Sequence, residues 1–299
     1  MPVVDRVLIV GAGVSGMTMA ICLARAGIIA DIAEINTSLE RMARAGTNIR
    51  LGVTVAQLED SERGAEVTFS DGSRATYDLV VGADGINSQM RAMLFPDAPA
   101  PEFTGQGCWR AVASRPPDID VTHVFLGGPV KTGLNPVSQS EMYMFVLQHV
   151  PENPRVPATD LHKPLAALLE SFGGPIGRVR DQLGPHSSIV YRPLETLLLD
   201  APWYEGRVVL IGDSAHATTP HLASGAAMGI EDAIVLTEEL VEGPTLSEAL
   251  ERFMARRFER CRLVVENSAM LGVLEMQAAP VPQHRALLQK SADALAQPF

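Results

Sequence analysis

Gly11, Gly13 and Gly16 stand in the run Gly11-Ala12-Gly13-Val14-Ser15-Gly16, directly after the apolar run Val7-Leu8-Ile9-Val10. An apolar helical pattern then extends over residues 17–26 and closes at Gly27. In such a setting the first glycine permits the tight turn and the second lets the backbone approach a pyrophosphate. The third lets the helix pack closely on the strand. The helix offers unpaired N–H groups and the positive end of its dipole to the phosphates. Glu34 ends the next strand-like run, residues 28–33, where an acid accepts hydrogen bonds from ribose hydroxyls. The chemistry within reach of these residues is dinucleotide binding. A glycine-rich turn in an unrelated α/β fold is the alternative for the glycines alone; the strand–turn–helix context and the placed acid favour the cofactor.

Two further motifs carry chemistry. One is Gly82-Ala83-Asp84-Gly85-Ile86-Asn87-Ser88, followed by Arg91. The other is Gly212-Asp213-Ser214-Ala215-His216, followed by Pro220 and by the run Gly225-Ala226-Ala227-Met228-Gly229-Ile230-Glu231-Asp232-Ala233. Each begins at the C-terminal end of an apolar strand-like run, where open α/β sheets place their ligands. Taken singly, each is as readily a structural Asp-Gly turn or a capped helix start.

The elements that must hold these motifs follow from the patterning. Residues 7–10, 28–33 and 208–211 read as buried strands of the parallel type, so the chain opens on a strand–turn–helix–strand unit of a doubly wound sheet. Residues 48–55, 66–69 and 77–81 read as strands, with Ser70-Asp71-Gly72 as the hairpin turn between the last two. Residues 96–101 form a linker rich in proline and alanine. Residues 103–150 alternate, Met142, Met144 and Val146 against Tyr143, Phe145 and Leu147, as in an antiparallel sheet. Residues 161–172 read as a helix ended by Gly173-Gly174-Pro175, and residues 225–241 and 246–271 as two longer helices. The last twenty or so residues are peripheral. The expected division is 1–100 with 186–272 as one domain, 101–185 as a second, and 273–299 as a tail.

Composition bounds the rest. The 299 residues are 46% hydrophobic and 20% charged, an ordinary globular balance. The excess of 35 acids over 24 bases gives a formal net charge of −11, which argues against a general nucleic-acid binder. Asp31 and Glu34 break the run nearest to membrane-spanning length, and the N-terminus carries no signal-peptide pattern. A cytoplasmic protein with no nucleic-acid or membrane partner is expected. Cys22, Cys108 and Cys261 are too few and too scattered for a disulfide framework or a zinc site, and read as small buried residues; no metal is expected. Arg256, Arg257, Arg260 and Arg262 read as a solvated helix face paired with Glu251 and Glu259. Met142 and Met144 read as sheet packing.

Taken in order, the three motifs, with Phe103-x-Gly105 and Trp109-Arg110 after the second, resemble the single-component flavin-dependent aromatic hydroxylases. The likeness is closer to the salicylate, urate and hydroxynicotinate hydroxylase branch than to p-hydroxybenzoate hydroxylase. It implies an α/β architecture: a Rossmann-like, GR2-type FAD-binding domain with an inserted, mostly antiparallel β-sheet substrate domain and C-terminal helices. It also implies FAD held by Gly11, Ala12, Gly13, Val14, Ser15, Gly16, Glu34, Val55, Asp84, Gly85, Arg91, Asp213, Pro220, Gly225, Ala226 and Ala227. Asp213 would bind the ribityl chain. Asp84 would serve both FAD and a transient NADH or NADPH, with Arg91 holding that turn. The helix starting near Gly225 would aim its N–H groups at the N1–C2=O edge of the flavin and favour the anionic reduced form. Pro220 would lie beside the isoalloxazine. His216 belongs to the family pattern and reads as structural. His221 is the candidate to face the substrate and deprotonate a phenol. The implied reaction is hydroxylation of a small aromatic or heteroaromatic compound with NAD(P)H and O2 through a flavin C4a-hydroperoxide, in a chain that can form a homodimer. Specificity is expected on the middle sheet, where Arg110 and His149 are candidates to meet a carboxylate.

The chain departs from the family twice. Ala223-Ser224-Gly225 stands where Gly-Gln-Gly is usual, and only residues 35–47 stand where the family has several tens more, including a flap over the flavin and an FAD-contacting arginine. A short helix at 38–45 is expected to close that crossover. With the flap missing, one wall of the flavin site would be open and the hydroperoxide would decay to hydrogen peroxide. The alternative reading is therefore a flavoprotein-fold binding module or an uncoupled NAD(P)H oxidase. A plain NAD-dependent dehydrogenase ranks last, because it leaves the Gly-Asp motif and its helix without a role.

Overall fold

The structure, a computed structural model, describes residues 2–37, 48–61, 63–126, 128–152, 157 and 159–299. The helix expected at 38–45 lies outside the described residues.

The chain begins with β1 (Arg6–Val10), α1 (Val14–Arg25), β2 (Ile29–Glu34) and β3 (Asn48–Leu51). It continues through β4 (Val55–Ser61), β5 (Gly64–Phe69), β6 (Arg74–Tyr77), β7 (Leu79–Gly82) and α2 (Gln89–Leu94). A middle segment follows, with β8 (Glu102–Ser114), β9 (His123–Phe125), β10 (Lys131–Pro136), β11 (Glu141–His149), α3 (His162–Leu168), α4 (Gly174–Arg180) and β12 (Ile189–Thr196). The chain closes with β13 (Tyr204–Glu205), β14 (Val208–Leu210), α5 (Asp213–His216), α6 (Gly225–Glu242), α7 (Leu246–Met276) and α8 (Val281–Leu295). Two compact units result, 1–102 with 195–299, and 103–194.

The first unit is built on a sheet ordered β13-β14-β7-β1-β2-β3, parallel from β14 to β3 with β13 as an antiparallel edge. Val7, Leu8, Ile9, Leu79, Val80, Val81, Val209 and Leu210 are sealed from solvent, as strands covered on both faces must be. The register decides where chemistry can occur. Val10 pairs with Ala33 on one side and Gly82 on the other, and Gly82 with Leu210. The residues that follow these four therefore emerge side by side at one edge of the sheet. A small antiparallel sheet, β4-β5-β6, belongs to the same unit. In the second unit the sheet is ordered β12-β8-β11-β10-β9. Met142, Met144 and Val146 of β11 pack with Leu165, Leu169 and Ile176 of α3 and α4, so the methionines are sheet packing.

Several expectations need correction. The run 77–81 is two strands in two sheets: the Asp78 carboxylate accepts the N–H groups of Asp5 and Arg6, and the chain changes sheet there. The run 48–55 is likewise divided between β3 and β4. Gly173 does not end a helix running to 172; it is the N-cap of α4, whose Pro175 fits the first turn because no N–H is needed there. The break expected at 185/186 falls at 194/195, since β12 is an edge strand of the middle sheet. The last residues form α8, with Pro282 in its first turn, and α7 continues to Met276.

Candidate functional site

Gly11 leaves β1 at φ 104°, and a side chain there would run into the backbone of Ala83 and Asp84, so the first and second motifs touch. A side chain at Gly16 would strike the Gly11 carbonyl, which is the close helix–strand approach expected of that position. Gly13 differs: an added Cβ would meet nothing within 4 Å, and its φ of −72° suits any residue. Packing within the chain gives no reason for a glycine there, whereas a ligand laid against the backbone does. Gly13 is the N-cap of α1, with no side-chain cap and no acid in the first turn. The first-turn N–H groups therefore have no intrahelical acceptor. Glu34 Oε2 accepts the Ala12 N–H at 2.7 Å and Oε1 the Asn36 N–H at 2.7 Å. Each oxygen keeps a lone pair for a further donor such as a ribose hydroxyl. Val55 is sealed in the core, so its side chain is not available to a ligand and only its backbone can be.

The second and third motifs are joined by Ser214. Its hydroxyl donates to Asp84 Oδ1 at 3.1 Å and accepts the Gly85 N–H at 3.0 Å. Asp84 Oδ1 also accepts from Ser88, and Oδ2 accepts the Met90 N–H at 3.0 Å. Arg91 donates to the carbonyls of Ser214 at 2.9 Å and Ile86 at 2.7 Å. Arg91 therefore holds the turn, as expected. Asp84 is largely committed to protein donors, with one Oδ2 lone pair left over. Ser15 lies in the notch between Gly212 and Gly229, where an added Cβ at either glycine would meet its hydroxyl. That side chain packs α1 against α6 and leaves the Ser15 backbone N–H for a ligand.

Asp213 is the exposed acid of the third motif. None of the described residues hydrogen-bonds its carboxylate. The protein crowded around it still desolvates the group and raises its pKa, with His216 pulling the other way. The carboxylate is thus exposed yet crowded by the surrounding protein. Beyond it, Pro220 starts a short 3-10 turn, Pro220–Leu222, that leads into α6. The Ser224 hydroxyl turns back to the Leu222 carbonyl, so the N–H groups at Gly225, Ala226 and Ala227 have no side-chain cap, and Ala226 and Ala227 are exposed.

His221 needs correction as a catalytic candidate. Its imidazole is 1% exposed, with Nδ1 2.9 Å from Thr219 Oγ1 and Nε2 3.3 Å from Glu275 Oε2. A ring without exposed surface is not placed to take a proton from a substrate.

The arginine run is corrected too. Arg257 is fully buried, with Nε 2.8 Å from Asp232 Oδ1 and Nη1 2.7 Å from Glu231 Oε2. Arg260 grips Glu231 as well, Arg256 bonds Glu238 and Glu239, and only Arg262, paired with Glu259 and Glu266, is a solvated face. Asp232 Oδ2 in turn accepts the Gly212 N–H at 2.9 Å and lies 2.6 Å from His216 Nε2. Burial opposes the charge on His216, but Cys261 and Asp232 more than offset it and hold its pKa well above the ordinary value. Burial likewise opposes the Asp232 charge and is outweighed by His216 and Arg257, which bring it down to about 2. His216, Asp232 and Cys261 have ligand-type atoms within 4.8 Å of one another, yet the Arg257 guanidinium already supplies the cation. Cys108 is buried as well, while Cys22 is only half-buried. Ser214 and Asp232 were not singled out as site residues by the sequence reading. The available signal was that Arg257 shares the helical spacing of Phe253, Cys261 and Val264, all buried.

A glycine loop shaped for a ligand, two uncapped helix starts, an acid for ribose and a free acceptor fit a flavin dinucleotide, and known proteins agree. Residues 33–268 match the family described as FAD binding domain. The 2-heptyl-3-hydroxy-4(1H)-quinolone synthase of Pseudomonas aeruginosa is 35% identical over 239 residues, 78% of this chain and 61% of that protein. A FAD-dependent urate hydroxylase of Klebsiella pneumoniae is 28% identical over 225 residues, 73% of this chain and 57% of that one. The chain thus spans about three-fifths of the length of these relatives. Among solved structures, Klebsiella pneumoniae HpxO complexed with FAD and uric acid superposes with a TM-score of 0.83 at 19% identity, over 97% of this chain and 94% of that one, a likeness of fold. With more than half of its length inside that match, the chain belongs to the FAD-binding domain family.

Proposed function

We propose that the protein is a FAD-dependent monooxygenase that hydroxylates a small aromatic or heteroaromatic compound, using NADH or NADPH and O2. The observation that carries this reading is the convergence of three distant motifs on one edge of the parallel sheet, around an acceptor that the chain leaves free. Bound there, FAD would supply the electron transfer and the activation of oxygen. The first turn of α1 would hold its pyrophosphate, Glu34 its ribose, and Asp213 a ribityl hydroxyl. The uncapped start of α6 would favour negative charge on the ring edge it meets, the charge that reduction brings. Relatives named for a quinolone and for urate support a heteroaromatic substrate. A homodimer in the cytoplasm belongs to the same proposal. Among the described residues no helix is long and apolar enough to cross a membrane.

The second reading is an uncoupled NAD(P)H oxidase or a flavin-binding module. It is favoured by the short 35–47 connection, because a site left open to water releases reduced oxygen before transfer.

The test is the visible spectrum of the purified protein, identification of the released cofactor, and a screen of aromatic acids and heterocycles for stimulated NADH oxidation. Flavin bands, FAD release and hydroxylated product uphold the proposal. FAD with hydrogen peroxide alone supports the second reading, and a chain that takes up no FAD overturns both.

A further inference from the structure

The segment between α5 and α6 carries Pro220 and delivers the start of α6 to the site, so its path decides where the uncapped N–H groups point. Its beginning is fixed: the Ala217 carbonyl accepts the Leu197 N–H at 2.9 Å and the Thr196 hydroxyl at 3.2 Å. Its end turns through Ala223 at φ 52°, closed by the Ala223 N–H on the Pro220 carbonyl at 3.0 Å. Between these points two side chains reach α7: Thr218, whose hydroxyl donates to the Val264 carbonyl at 3.4 Å, and His221. Nδ1 lies 2.9 Å from Thr219 Oγ1, within the segment, and Nε2 lies 3.3 Å from Glu275 Oε2, in the last turn of α7. With Nδ1 hydrogen-bonded to Thr219 and Nε2 facing the carboxylate at ion-pair distance, without hydrogen-bond geometry, one buried ring links the turn to a helix 31 residues long.

We propose that His221 is a positioning residue: by bridging Thr219 to Glu275 it anchors the turn beside the flavin to α7 and so sets the start of α6 for the cofactor. The proposal rests on the reading that this site holds FAD. It assigns His221 a role through Glu275, with no proton exchanged with substrate.

FAD affinity is titrated by fluorescence in the wild type, His221→Leu, His221→Gln, Glu275→Gln and the His221→Leu/Glu275→Gln double variant. Thermal unfolding of each chain without FAD identifies any variant that fails to fold; Glu275→Gln, nearly isosteric, keeps the test alive if the leucine variant does. Losing a contact between coupled neighbours of this kind is worth about tenfold in affinity. The expected result is a loss of about tenfold in His221→Leu and in Glu275→Gln, no further loss in the double variant, and recovery to within about threefold in His221→Gln. The long-wavelength band of the bound flavin should shift in the weakened variants and return in His221→Gln, which a loss of general stability would not produce. Equal affinities and spectra in all five proteins, or additive losses in the double variant, overturn the proposal. A wild type that takes up no FAD instead overturns the cofactor reading beneath it.

Discussion

At the scale of single residues, glycines of one motif do different work, and the difference can be measured. Gly16 has no room for a methyl group, because the Gly11 carbonyl occupies the place. Gly13 has room and an ordinary φ, and only a ligand gives its missing side chain a purpose. Gly13→Ala should leave stability within about 1 kcal/mol of wild type yet weaken FAD binding about tenfold or more, through a clash worth at least about 1.4 kcal/mol. Gly16→Ala should cost about 1–3 kcal/mol of stability through overpacking. Urea unfolding without FAD and FAD titration separate the two effects. A Gly13→Ala chain that binds FAD as tightly as wild type would show that the pyrophosphate does not lie on this loop. Asp213 follows the same logic. Asp213→Asn removes a charge that crowding already disfavours, so the FAD-free chain should be no less stable, while affinity falls.

At the scale of elements, the segment leading into α6 shows a local cost. Ala223 sits at φ 52°, ψ 23°, a left-handed conformation that costs a residue with a Cβ about 1–2 kcal/mol. Glycine removes that strain but adds freedom to the unfolded chain worth about 0.4–1 kcal/mol, so Ala223→Gly should stabilise by about 0.5–1 kcal/mol, read as a higher urea midpoint at unchanged slope. The left-handed turn itself was not legible in the sequence, since alanine carries no signal for it. What was legible follows from local physics. Continuous apolar runs announced the parallel strands, strict alternation announced β11, and glycines at turns announced where the strands deliver the chain. What was not legible depends on neighbours distant in sequence. The run of Arg256, Arg257, Arg260 and Arg262 looks solvated until Glu231 and Asp232 of α6 are placed against it. His221 looks catalytic until Glu275, 54 residues on, closes over its ring. The terminal helix was hidden because its partners are backbone carbonyls: Arg260 donates to those of Ala294, Leu295 and Gln297.

At the scale of the whole molecule, one set of charges forms a chain of alternating sign behind the third motif. It runs from His216 through Asp232, Arg257 and Glu231 to Arg260, and on to the carbonyls at the end of α8. It joins the Gly-Asp turn to α6, α7 and α8, so protonation inside it should be felt as global stability. Asp232 is lowered from 3.8 to about 2, which makes its contribution complete above ~3.8 and lost as pH falls toward 2. His216 is raised above 6.5, which makes its contribution complete below ~6.5. Above that pH the unfolded chain releases the proton while the folded chain retains it, and stability declines until the raised value is passed. The two shifts describe one ion pair and count once. Urea midpoints across pH should therefore plateau between ~4 and ~6.5 and fall on both sides, with Trp203, whose ring centroid is 4.9 Å from that of His216, as the fluorescent probe. His216→Asn should lower the plateau and flatten the alkaline limb, since no proton is then left to lose. A wild-type midpoint that stays level from pH ~6.5 to ~9 would mean that His216 is neutral in the folded protein, and that Arg257 alone balances Asp232 behind the turn that carries Asp213.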